Sequence, residues 1–185
     1  MHLLLLGDSL FARHEGKQLP HIDYSLCQYR PDVVIDNWAV SGDNSADLLS
    51  LLRRTLLPAA DRVFVFIGAN DLAQHKQVFL GEYAQNLTAI VAELKKQFSA
   101  DQICLLLPAP VDETKQLYRT NRLVTYYGDQ VRRVARQEGT GLLDTVALFE
   151  QSNLPMADLL KGSLDDGLHF GSQAYDFLAR AMLGL

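Results

Sequence analysis

Five short apolar runs punctuate the chain, at Leu3–Leu6, Val33–Asn37, Val63–Ile67, Ile103–Leu107 and Leu142–Asp144, and each ends in polar or turn residues. Runs of this length bounded by turn signals read as buried strands, and the segments between them carry a helical period. That alternation predicts a parallel sheet covered by helices on both faces. The clearest helix spans Glu82–Phe98, where Tyr83, Leu87, Ile90, Val91, Leu94 and Phe98 fall on one stripe. A second is predicted from Asn44 or Ser45, both good caps, to Leu57, where Pro58 stops it; its stripe is Leu48, Leu51, Leu52 and Leu56. A third covers Asn121–Glu138 and ends at Gly139. The last runs from Ser172 to Met182, with Phe177, Leu178, Ala181 and Met182 on its apolar face. No repeat, low-complexity tract or linker interrupts the series, so one domain over residues 1–185 is expected.

In an open parallel sheet the ligand crevice lies beyond the carboxyl ends of the strands, where the connecting loops diverge. The segments at those ends are Gly7-Asp8-Ser9, Ser41-Gly42-Asp43-Asn44, Gly68-Ala69-Asn70-Asp71 and Pro108-Ala109-Pro110. Small and polar residues therefore collect where a site is expected.

Composition narrows the function classes. Apolar residues make up 48% of the chain and charged residues 21%, and the net charge is −5. Lys and Arg are scattered, so no basic footprint for nucleic acid exists. The N-terminal run Leu3–Leu6 is far shorter than the ~20 apolar residues of a membrane span. It also lacks the basic flank and cleavage site of a secretory signal. Two cysteines, Cys27 and Cys104, show neither a disulfide framework nor a C-x-x-C spacing, which points to reduced thiols in a cytoplasmic protein.

A serine hydroxyl is a poor nucleophile at neutral pH. It needs a base to take its proton, an acid to orient that base, and donors for the oxyanion. Ser9 stands directly after a buried strand and a turn-permitting glycine. The chain holds a single Asp-x-x-His, at Asp166-Gly167-Leu168-His169. There a short turn lets Asp166 accept from one imidazole nitrogen of His169 while the other faces a serine. His2, His14 and His21 fit the base role less well, and His75, close to Asn70-Asp71, is a second candidate. Gly42 offers a backbone N–H that no Cβ shields, and Asn70 offers a side-chain amide. Taken singly, each of these residues reads equally well as a turn, cap or surface residue.

Four short motifs in order carry a resemblance: Gly7-Asp8-Ser9-Leu10, Asn37-Trp38-Ala39-Val40-Ser41-Gly42-Asp43, Gly68-Ala69-Asn70-Asp71 and Asp166-Gly167-Leu168-His169. Together they resemble the Ser, Gly, Asn and His blocks of the SGNH-hydrolase, or GDSL esterase/lipase, superfamily across nearly the whole chain. The resemblance implies a flavodoxin-like three-layer α/β/α sandwich with a central five-stranded parallel sheet. It further implies Ser9 as nucleophile, His169 as base, Asp166 as orienting acid, and an oxyanion hole from the Ser9 and Gly42 N–H groups and the Asn70 amide. Asp8 and Asp71 would support these groups. The family often has proline after the block-five histidine; this chain has Phe170, which bears on the shape of that loop.

The expected reaction is hydrolysis of a small-molecule acyl ester without metal or organic cofactor. Superfamily relatives extend it to carbohydrate O-acetyl esters, lysophospholipids and thioesters. Short loops favour small acyl groups, with Leu10, Phe11, Leu72 and Val111 as expected apolar lining and Val111–Arg122 as a substrate wall or partial lid. Two other classes compete: a non-catalytic module binding an acyl ligand, and a nucleotide- or flavin-binding α/β protein. The second lacks both G-x-G-x-x-G and a P-loop sequence. The absence of G-x-S-x-G also disfavours the larger α/β-hydrolase fold.

Overall fold

The computed structural model describes residues 1–185. Strands β1 (His2–Gly7), β2 (Val34–Asn37), β3 (Arg62–Phe66), β4 (Ile103–Leu106) and β5 (Gly141–Leu143) pair in parallel in the order β2-β1-β3-β4-β5. This is the flavodoxin-like order, in which the winding direction reverses between the strands here called β1 and β3.

Side chains alternate across the sheet as the pleat requires. Leu3, Leu5, Phe64, Phe66 and Leu106 enter one core. It is closed by α2 (His21–Tyr29), α6 (Thr145–Glu150), α7 (Met156–Leu159) and α8 (Ser172–Leu183). Leu4, Leu6, Val63, Val65 and Leu105 enter the other. That core is closed by α3 (Ser45–Arg54), α4 (Leu80–Leu94) and α5 (Asn121–Glu138). A four-residue helix, α1 (Ser9–Ala12), turns the chain out of β1. No helix is long and apolar enough to cross a membrane.

Local chemistry sets most helix ends. Asn44 caps α3 by accepting from the Ala46 and Asp47 N–H groups at 2.9 and 3.2 Å, and Asp47 reaches back to the Asn44 N–H at 3.0 Å. Helix α5 stops at Gly139, which takes the left-handed conformation at φ 70°. The second predicted helix ends earlier than expected. Thr55 is already extended, and Leu56, expected on the buried stripe, is 93% exposed. Pro58 disfavours helix in the residue before it, and the chain unwinds before reaching that point. Regular helix α4 likewise gives way to turns after Leu94, although Phe98 stays buried. Asp144, expected in the last strand, caps α6 instead by accepting from Ala147 N–H at 3.0 Å. Helix α2 was not predicted, since its inner face mixes Ile22 and Leu26 with His21 and Ser25.

The end of β1 is where fold and site meet. A Cβ at Gly7 would lie 2.2 Å from the Phe66 carbonyl oxygen of β3, and Asp8 N–H donates to that same oxygen at 3.2 Å. Glycine thus lets β1 press against β3 up to the point where Ser9 departs. Gly7→Ala is expected to destabilise the fold by about 3 kcal/mol, the upper range for overpacking, because the obstacle is backbone that no rotamer change can move. Urea unfolding checks this, and an unchanged midpoint would contradict it.

Candidate active site

Three loops at the carboxyl edge converge beside the β1/β3 reversal. Ser9 opens α1, and Asp8 caps that turn by accepting from Leu10 N–H at 3.0 Å. The Ser9 Oγ lies 3.0 Å from His169 Nε2, and His169 Nδ1 lies 2.8 Å from Asp166 Oδ2. The other Asp166 oxygen accepts from the backbone N–H groups of Leu168 and His169, each at 3.1 Å. This turn needs Gly167, which sits at φ 71° against the Asp112 backbone. Residues 160 positions apart are thereby joined in one hydrogen-bonded chain.

The charge states suit proton transfer. Burial holds the His169 imidazole below its ordinary value, countered in part by the Asp166 carboxylate, with smaller opposing effects from Arg13 and Glu15. The imidazole is therefore neutral and able to accept a proton near pH 7. Burial would raise the Asp166 carboxyl, but the His169 backbone N–H, the imidazole beside it and the Leu168 N–H together hold it below the usual range. Burial pushes Asp8 up to about 7 and Asp71 up to about 6.

Gly42 occupies an exposed turn at φ 95° with open space where a Cβ would stand. Asn70 is buried and donates from Nδ2 to the Asp43 carbonyl at 2.8 Å, tying the Gly42 loop to the loop after β3. Asp71 accepts from the Ser45 N–H through both oxygens, at 3.0 and 3.1 Å, at the start of α3. The remaining histidines lie elsewhere. His75 is exposed and packed on Tyr118, His2 bonds Asp36, His21 stacks on Tyr175, and His14 is exposed.

The expected apolar lining is corrected. Leu10, Phe11 and Val111 belong to the core under α8, and Leu72 to the core on the opposite face of the sheet, none more than 3% exposed. Apolar residues beside a motif fill the protein before they face a ligand. Phe170, in the position where proline is common, is a core anchor packed edge-on to Phe149 and Tyr175, at centroid distances of 5.1 and 5.4 Å. Packing thus fixes the His169 loop where a proline ring would otherwise restrict it.

The segment after β4 is fastened at several points. Asn121 exchanges two 2.9 Å hydrogen bonds with the Val111 backbone, Asp112 N–H donates to the Gly167 carbonyl at 2.8 Å, and Gln116 donates to the Asp166 carbonyl. Arg119 on this strap reaches Ala69 and Asn70. Sequence reasoning passed over it, since an arginine in a polar loop reads as solvated.

The fold and the relatives of this chain are those of a carboxylic ester hydrolase. The chain belongs to the GDSL-like lipase/acylhydrolase family, whose model matches residues 5–177. It is 30% identical to the human isoamyl acetate-hydrolyzing esterase 1 homolog, over 95% of this chain and 77% of that protein. An acetylxylan esterase from Geobacillus stearothermophilus superposes with a TM-score of 0.76 at 25% identity, over 99% of this chain and 92% of that one. A lipase/acylhydrolase from Enterococcus faecalis shares the fold, with a TM-score of 0.84 at 21% identity over 100% and 94% of the two chains.

The sign of the burial effect is testable. In an imidazole NMR titration His169 is expected to show a midpoint below the ordinary 6.5, and Asp166→Asn is expected to lower it further by removing the carboxylate that favours the cation. A midpoint above 6.5 would mean that the carboxylate, rather than burial, governs the base.

Proposed function

We propose that the protein hydrolyses small acyl esters through an acyl-enzyme on Ser9. The observation that carries this reading is the unbroken Ser9–His169–Asp166 chain at 3.0 and 2.8 Å. His169 takes the Ser9 proton as Oγ attacks the ester carbonyl, and Asp166 holds the imidazole in the required tautomer. The Ser9 and Gly42 N–H groups and the Asn70 amide receive the oxyanion. His169 then protonates the leaving alcohol, and water releases the acyl group by the same route.

A short acyl group is supported by the burial of Leu10, Phe11 and Val111, which fill the core and offer no apolar surface to an acyl chain. Two relatives point the same way: their printed names specify isoamyl acetate and acetylxylan, both acetyl esters. An acetylated carbohydrate is therefore the second reading. The cytoplasm is the proposed compartment, supported by the free thiols of Cys27 and Cys104.

Ser9→Ala is expected to lower p-nitrophenyl acetate turnover by at least about 10³-fold with folding intact, and to abolish fluorophosphonate labelling. Wild-type rates in clean Ser9→Ala protein would end the assignment. In a series of p-nitrophenyl esters run beside acetylated sugars, acetyl and butyryl esters are expected to outrun octanoyl esters. A flat profile would remove the short-chain preference.

A further inference from the structure

An asparagine amide serves an oxyanion only if its NH₂, and not its oxygen, faces the reacting centre. The two ends of Asn70 meet partners of opposite kind. The Asp43 carbonyl can only accept, so the group 2.8 Å from it must be Nδ2. The Arg119 guanidinium can only donate, so the atom 3.3 Å from its Nη2 must be Oδ1. Arg119 Nε also donates to the Ala69 carbonyl at 2.7 Å, so the guanidinium grips the backbone one residue before the amide it orients. Nδ2 carries two hydrogens, and the Asp43 carbonyl takes one, which leaves the second for a ligand.

We infer that Arg119 is a positioning residue that locks the Asn70 carboxamide with its NH₂ toward the oxyanion. The inference rests on the reading of Asn70 as an oxyanion donor. Several features make a chance contact a poor account of this residue. Arg119 is half-buried, although it lies on a strap whose neighbours Leu117 and Tyr118 are exposed. Its Nη1 donates to Gln116 Oε1 at 3.1 Å, and Gln116 in turn donates to the Asp166 carbonyl at 2.5 Å. One guanidinium therefore ties the oxyanion amide to the loop that carries the base. Burial of its charge is the larger effect, and the charges of Asp8 and Asp166 counter it only in part. Lysine could supply the charge but not the planar fork that meets Ala69, Asn70 and Gln116 at once.

A double-mutant cycle on p-nitrophenyl acetate tests the coupling. Arg119→Met is expected to lower kcat about 10-fold while KM changes less than about 2-fold, because the oriented donor acts mainly on charge that develops in the transition state. Asn70→Ala alone is expected to lower kcat about 10²-fold or more. In the Asn70→Ala background, adding Arg119→Met is expected to change kcat by less than about 2-fold, since nothing remains to be oriented. Multiplying effects, or a well-folded Arg119→Met enzyme with wild-type kcat, would overturn the inference about Arg119 alone. Wild-type kcat in Asn70→Ala would overturn both it and the oxyanion reading beneath it. If thermal melting shows Arg119→Met to be unfolded, Arg119→Lys replaces it in the same cycle, with a loss of about 3-fold expected on the same non-additive pattern. Multiplying losses there overturn the inference equally.

Discussion

Parallel pairing of β1 with β3 is the constraint on which the rest depends. Parallel strands send all their carboxyl ends to one edge, and the reversal of winding at this pair parts the loops that follow. Ser9 leaves from one strand and Asn70 from the other, so hydroxyl and amide flank the gap before any side-chain contact is made. The pairing is close because Gly7 presents no side chain to Phe66. Loops from β2, from β4 and from the segment before α8 then complete the arrangement from the outside.

Those outer loops are held by polar ties as well as by core residues such as Val111, Leu168 and Phe170. The Asn70 amide bonds the loop bearing Gly42, Asp71 caps the helix that follows that loop, and the strap after β4 bonds the Asp166 turn. Each tie uses a group that burial would otherwise leave unsatisfied, and buried polar groups without partners are costly. Asp8 and Asp71 show the strain of this economy, as burial lifts both carboxyls well above their ordinary range.

What was legible in the sequence followed from periodicity and from order. All five strands are present, because short apolar runs covered on both faces leave a strong signal, and α5 occupies the predicted residues Asn121–Glu138. Ser9, Asp166 and His169 meet as the resemblance carried by their motifs implied. Helix α2 was not legible, since three of its five buried residues, His21, Asp23 and Ser25, are polar or charged. Leu56 misled because a leucine at helical spacing looks the same whether or not the helix continues. Leu10, Phe11, Leu72 and Val111 misled because proximity to a motif says nothing about which way a side chain points. Arg119 was invisible for a further reason: its partners Ala69 and Asn70 lie 50 and 49 positions away, and only the folded strap brings them together.

Phe170 ties the His169 imidazole to the core. His169 is flanked in sequence by Leu168 and Phe170, both buried in the core that α8 closes, and its own carbonyl accepts from Gly162 N–H at 2.9 Å. The imidazole is thus carried on the rim of the packed interior instead of on a free loop. A change in how α8 sits on the sheet is also a change in where the imidazole points, so the interior of the protein sets the aim of a side chain at its edge.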